Sequence, residues 1–240
     1  MRKDFISVVI PAYNEEERIM PTVRRILEYL KDNFAEFEII VVDDGSSDGT
    51  SGLVRGSGLE GVRLIQNPEN MGKGAAIRNG ILSSKGSLVL ISDADMSTPI
   101  EEAGRLMAAL DEGWDIAIGS RALRESDIAI RQPWYRQGMG KVFNLFVRLL
   151  LFGGFKDTQC GFKLFKGEGA RAVFSKCRIN GFGFDPEALF IAMKSGMRIK
   201  EVPIRWLNSP KSKVGLFSDP PKMVLDLLRI RANRLRGLYR

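Results

Sequence analysis

Along the first 120 residues, short apolar runs alternate with stretches of helical spacing. Residues 6–10 form a β-branched run that stops at Pro11. Residues 18–30 then place Ile19, Val23, Ile26, Leu27 and Leu30 three or four apart, which predicts an amphipathic helix. Pro21 suits its first turn. Further strands are predicted over 38–42, 62–65, 88–91 and 115–118, with helices over 74–84 and 101–110. A short helix after Asp43-Asp44-Gly45 would be capped by Ser46 or Ser47. Nearly continuous apolar strands separated by helices imply an α/β fold with a mostly parallel sheet covered on both faces.

In such sheets ligands bind outside the carboxyl ends of the strands. Those ends carry Tyr13-Asn14-Glu15, Asp43-Asp44, Asp93-Ala94-Asp95 and Ser120-Arg121, so the chemistry-bearing side chains fall on one edge. The second half reads differently. Residues 141–152 are apolar on almost all faces, which fits either a buried core helix or one lying in a membrane surface. Residues 157–165 and 181–187 read as Gly- and aromatic-rich loops with embedded acids, and 200–206 as a strand. A last helix runs from Pro220 to the end, capped by Ser218 or Asp219. It sets Asp226, Arg229, Asn233, Arg236 and Arg240 on one strip, with Met223, Val224, Leu227, Leu228, Leu235 and Leu238 on the rest.

Composition narrows the chemistry. The chain of 240 residues holds 36 basic and 29 acidic side chains, net +7, and no histidine. Without histidine there is no Ser-His-Asp triad, no Cys-His pair and no His-ligated zinc, so a bound metal must have oxygen ligands, which points to Mg2+ or Mn2+. The excess of positive charge favours an anionic partner. The basic amphipathic C-terminal helix suits anionic lipid headgroups. Nucleic acid is disfavoured because aromatic residues are not interleaved with the basic ones. No apolar stretch reaches the length needed to cross a bilayer, and the N-terminal apolar run is too short for a signal-peptide core. The expected location is therefore cytoplasmic, peripheral to a membrane, with Cys160 and Cys177 reduced.

The first strand ends in Pro11-Ala12-Tyr13-Asn14-Glu15-Glu16-Glu17, which is acidic where a dinucleotide-binding turn is glycine-rich. Gly72-Lys73-Gly74 lacks the spacing of a P-loop. Redox and NTPase functions are thus disfavoured. Asp93 and Asp95, one residue apart at a strand end, can face one hard cation that also binds diphosphate oxygens. Taken alone the tripeptide fits an Asx turn before Pro99 as well. Its place behind an apolar strand, in line with Asp43 and Arg121, favours the metal.

The segments 8–15, 41–46, Gly72-Lys73-Gly74 and Asp93-Ala94-Asp95, in that order, resemble glycosyltransferase family 2, with its GT-A fold. Gly119-Ser120-Arg121, the string from Asp157 to Phe165, Phe184-Asp185-Pro186-Glu187 and Ser212-Lys213 look like the dolichyl-phosphate β-glucosyltransferases within that family, and less like the mannose synthases. The similarity runs from about Phe5 to Lys213. It implies inverting transfer of glucose from UDP-glucose to a dolichyl or other polyprenyl phosphate. Another donor, GDP-mannose or a UDP-N-acetylhexosamine, or a glycan hydroxyl acceptor is the alternative. It further implies that Pro11, Tyr13 and Glu15 line the nucleotide pocket, Asp43 accepts a hydrogen bond from uracil with Asp44 in support, and Lys73 sits near the nucleotide. Asp93 would contact the ribose or a metal-bound water, and Asp95 would bind the metal directly. Arg121 with Arg131 or Arg136 would hold the acceptor phosphate, and Lys213 would close over the diphosphate. Asp157 and Glu187 are candidates for binding sugar hydroxyls, or for a base if the acceptor is an alcohol; a structural turn and a helix cap are their plainer roles. Ser97 stands where the mannose synthases carry a metal-binding Gln, and an arginine those enzymes place near Asn208 is missing. The expected organisation is one domain over 1–215, with a nucleotide-sugar half (1–120) and an acceptor half (121–215), followed by the basic helix 216–240.

Overall fold

The computed structural model describes residues 1–209, 215 and 219–239. Lys213, expected to close over a diphosphate, and Ser218, a candidate cap, lie outside them. The first half builds β1 (Arg2–Ala12), α1 (Ile19–Asn33), β2 (Phe34–Asp43), α2 (Thr50–Gly56), β3 (Val62–Gln66), α3 (Lys73–Leu82) and β4 (Leu88–Ile91). A 3-10 turn at Ile100–Glu102 leads into α4 (Ala103–Asp111), then β5 (Ile116–Ser120). Thereafter come β6 (Asp127–Ile130), α5 (Trp134–Leu150), β7 (Lys163–Lys166), α6 (Gly167–Phe174), α7 (Phe184–Lys194), β8 (Ile199–Pro203), β9 (Arg205–Leu207) and α8 (Asp219–Leu235).

Seven strands form one sheet in the order β3-β2-β1-β4-β7-β5-β8. All pairings are parallel except those of β7, which runs antiparallel to both β4 and β5. The continuous apolar runs follow from cover on both faces. Val8, Ile10, Ile39, Val41, Leu88 and Leu90 point into the layer under α1 and α4. Val9, Ile40, Val42, Val89 and Ile91 point the other way, into the layer under α3, α6 and α7. Helix α3 lies very close to the sheet: a Cβ on Gly80 would sit 2.4 Å from Val9 Cγ1. The α3 register thereby fixes where Lys73 emerges.

The elements of the first half fall where the pattern puts them, give or take the ends. Several readings need correction. The loop expected over 157–165 ends in β7, too short and too mixed to show a period-2 signal, and the loop expected over 181–187 runs into α7. Ser46 and Ser47 do not cap α2; the Thr50 N–H donates instead to Asp48 Oδ1 at 3.0 Å. The strand expected over 200–206 splits at Ile204: β8 joins the main sheet and β9 pairs with β6. Nor is 141–152 a buried core helix. Within α5 only Phe143 and Val147 are buried, packing with Phe190 and with Met223, Leu227 and Ile230 of α8. On α8 the expected polar strip is broken, because Asp226 turns inward against Gly183 while Leu225, Leu228 and Leu235 face solvent. Among the described residues no helix is long and apolar enough to cross a membrane. Cys160 and Cys177 are buried free thiols.

Candidate active site

The turn after β4 carries the two aspartates. Its backbone is tightly held: the Ala94 carbonyl accepts the Thr22 hydroxyl at 2.7 Å, and the Ser97 N–H donates to Asp95 Oδ1 at 2.9 Å. Between them Met96 adopts φ +48°, a left-handed geometry that is costly for a side chain of this size. Lys73, the first residue of α3, places Nζ 2.6 Å from Asp93 Oδ1. The other Asp93 oxygen lies against Gly161, where a Cβ would stand only 2.0 Å away. Asp93 is thus clamped between a cation and a glycine, and Asp95 is the less committed carboxylate.

Two further ion pairs flank this one. Arg121, just past β5, grips Asp157 with Nε at 2.7 Å and Nη2 at 2.9 Å, and its guanidinium lies 5.6 Å from the Trp206 ring centroid. Asp157 also accepts the N–H groups of Arg121 and Gln159. Burial alone would raise the Asp157 carboxyl, but Arg121 outweighs it and holds the group down at about 2. Lys163 of β7 is buried and donates to Asp185 and to the Cys160 carbonyl. Around Lys73, burial works against the charge, yet Asp93, Asp185 and Asp95 outweigh it and keep the ammonium above its usual range. Asp93 is likewise held below the usual carboxylate range: burial opposes its charge, but Lys73, Lys163 and Arg121 prevail.

Two hollows meet at Lys73, Asp93 and Asp95. One is bounded by Pro11, Tyr13, Glu15, Asp44 and Asn70. The other is lined by polar Arg121, Arg136 and Gln159 and by apolar Met139, Phe143, Phe182 and Met223, the apolar ones drawn in part from α5 and α8. A basic recess beside it is lined by Arg121, Arg131, Arg136, Lys141 and Lys156, together with Asp157.

The strand-end residues singled out in the sequence therefore converge, with exceptions. Asp43 does not line the first hollow: it is fully buried, accepting the Ser46 N–H and the Gln66 amide. Asp44 does line it, and holds the following loop through Asn67 and the N–H groups of Met71 and Gly72. Arg131 reaches only the basic recess. Glu187 lines none of these three hollows, and its carboxylate accepts the N–H groups of Arg178 and Ile179. Sequence reading gave no individual role to Asp185, Lys163, Trp206 or Asn14, although all but Trp206 lie in the motifs it quoted. Asn14, at φ +53°, ties the β1 and β2 loops together, donating its N–H to Ser46 Oγ and accepting the Ser47 N–H. The sequence signal for Asp185 was its neighbour Pro186, which suits the first turn of a helix rather than a loop.

Among the described residues no three His, Cys, Asp or Glu side chains gather as a closed metal site. Asp95, with Asp93 beside it, supplies hard oxygen donors facing both hollows, a set that fits a divalent cation taking its other ligands from phosphate and water.

Comparison with known proteins identifies the family and the fold. Residues 7–174 match the family model described as glycosyl transferase family 2. The chain is 37% identical to a dolichyl-phosphate β-glucosyltransferase of Dictyostelium discoideum, over 98% of this chain and 76% of that one. It is 38% identical to the human protein of the same name, over 98% and 77%. A crystal structure of glucosyl-3-phosphoglycerate synthase from Mycobacterium tuberculosis with Mn2+, UDP and glucosyl-3-phosphoglycerate shares the fold, with a TM-score of 0.69 at 20% identity, over 96% of this chain and 80% of that one. The fold is thus GT-A and the protein is a glycosyltransferase. It belongs to glycosyltransferase family 2.

Two outcomes follow from the ion pairs. Gly161→Ala must displace Asp93, so glycosyl transfer should fall by more than tenfold while the unfolding midpoint in urea moves little. Asp157 has a folded value near 2 against an ordinary 3.8. Its contribution to stability is therefore complete above about pH 4 and drains away as the pH falls toward 2. Acid unfolding followed by circular dichroism should show this loss in the wild type, and Asp157→Asn should flatten that part of the profile.

Proposed function

We propose that the protein transfers glucose from UDP-glucose to dolichyl or another polyprenyl phosphate, with inversion, at the cytoplasmic face of a membrane. The observation that carries this reading is the second hollow, which is lined both by charged Arg121 and Arg136 and by apolar side chains of α5 and α8. A phosphate on an isoprenoid chain has the same two-part character. The names of the relatives point to the same acceptor and sugar. In this reading residues 1–120 hold the nucleotide sugar, 121–215 the acceptor, and 216–240 the membrane contact.

The donor lies in the first hollow, its diphosphate toward Lys73. Pro11, Tyr13 and Glu15 border the nucleoside. Asp43, behind Gln66, reaches a base only if its turn opens, so Asp44 and the loop it holds form the more direct contact. Arg121 and Arg136 take the acceptor phosphate, with Arg131 at the approach; Asp157 keeps Arg121 extended rather than acting as a base, since a carboxyl held near 2 is a poor proton acceptor. No base is required. An anionic phosphate oxygen attacks the anomeric carbon, the bond from that carbon to the UDP oxygen breaks, and UDP leaves with the electron pair. Lys73 offsets charge growing on the diphosphate, and Asp93 keeps it aimed. A Mg2+ or Mn2+ ion at Asp95, with Asp93 beside it, would supply Lewis-acid stabilisation of the same leaving group. Glu187, buried and hydrogen-bonded elsewhere, has no part in sugar binding.

A product assay tests this reading. With dolichyl phosphate in detergent, Mn2+ and UDP-glucose, mass spectrometry should detect a hexosyl phospholipid. UDP-N-acetylglucosamine and GDP-mannose should give none, and Asp95→Ala should reduce the product at least a hundredfold. Lipid product from GDP-mannose alone would overturn the donor, and absence of any lipid product would overturn the acceptor.

Membrane contact follows from α5 and α8. Val142, Leu145, Phe146 and Leu149 form one exposed stripe on α5, with Leu149 72% exposed, and Leu225, Leu228 and Leu235 stand out on α8 among Lys222, Arg229, Arg231 and Arg234. Exposed apolar stripes beside basic side chains fit an anionic lipid surface. Vesicles of about one-third anionic lipid should co-sediment the protein. Changing Leu145 and Leu149 together to Glu should weaken that binding by about a hundredfold or more, since each buried leucine contributes about 1.5–3 kcal/mol and each 1.4 kcal/mol is a factor of about ten.

A further inference from the structure

Glu187 is fully buried in α7, outside the hollows, and yet it is connected to Lys73. Its carboxylate accepts the Arg178 N–H at 3.0 Å and the Ile179 N–H at 2.8 Å. A third donor comes from the far end of the chain: the Tyr239 hydroxyl donates to Glu187 Oε1 at 2.6 Å. The Tyr239 ring stands edge-on to Phe190, 6.3 Å between centroids, and the Asn233 amide donates to its oxygen.

The segment that Glu187 holds is the one against which α3 begins. The Asn180 carbonyl accepts the Ala75 N–H at 3.1 Å. Arg78 donates to the Cys177 carbonyl and the Asn180 side chain. There is no slack between the two. A Cβ on Gly72 would sit 2.5 Å from the Asn180 oxygen, and one on Gly74 2.6 Å from the Ile179 oxygen. Gly72 is also at φ +100°, a conformation that L side chains rarely adopt. Lys73 lies between these glycines, so its backbone follows the position of 178–181.

We propose that Glu187 and Tyr239 are positioning residues for Lys73, acting through the 178–181 backbone, so that the segment after α8 sets the aim of the cation facing the donor diphosphate. The proposal rests on the donor role given to Lys73 above.

The test is a double-mutant cycle on the full chain, read as UDP affinity by calorimetry with Mn2+ and as KM for each substrate. Tyr239→Phe keeps the ring packing and removes one hydrogen bond, so UDP affinity and donor KM should worsen about three- to tenfold. The acceptor KM should stay put. Lys73→Met should weaken UDP at least tenfold. Adding Tyr239→Phe to Lys73→Met should then cost nothing more, because the group it positions is gone. Glu187→Gln, which keeps the shape, should repeat the Tyr239→Phe pattern. If Tyr239→Phe is silent, or lowers UDP affinity equally with and without Lys73, the positioning role is overturned while the donor role of Lys73 stands. If Lys73→Met leaves UDP affinity unchanged, the donor reading itself falls, and this inference with it.

Discussion

Four carboxylates, Asp93, Asp95, Asp157 and Asp185, share the carboxyl edge of one sheet with Lys73, Lys163 and Arg121. Like charges confined this closely at reduced dielectric would push one another toward neutrality. The signs alternate, so each repulsion is offset by a neighbouring attraction. Asp93 faces Lys73, Asp157 faces Arg121 and Asp185 faces Lys163, while Asp95, at the junction of the hollows, has no such pair among the described residues. Removing one partner of such a pair strands the other, so the cluster tolerates little change.

That alternation depends on β7. As the antiparallel strand between β4 and β5, it sets Lys163 level with Ile91 and Ile118, directly beneath the turn that carries Asp93. The loop before β7 brings Asp157 to Arg121 and Gly161 to Asp93 on its way into the sheet. A parallel strand here would enter from the opposite edge and bring neither.

The acceptor side is organised by apolar packing instead. Phe143 and Val147 of α5 meet Met223, Leu227 and Ile230 of α8, which leaves the opposite stripes of both helices facing outward. One pairing thus forms the apolar wall of the second hollow and exposes leucines beside basic residues. The last turn of the chain, through Tyr239 and Glu187, returns from that region to the start of α3.

The first-half strands, their helices and their shared acidic edge could be read from local sequence, because two-sided burial writes continuous apolar runs and places polar residues where strands end. Pro11, Tyr13, Glu15, Asp44, Lys73, Asp93, Asp95 and Arg121 stand together for that reason. The family could be read too, from motifs in fixed order. Contacts between segments far apart in sequence leave no local period. Lys163 meeting Asp185, Gly161 pressing on Asp93, Glu187 holding 178–179 rather than facing the cleft, and Asp226 turning inward on α8 were decided by tertiary packing. The same holds for which faces of α5 and α8 are exposed, since an amphipathic pattern gives a stripe but not the surface that covers it.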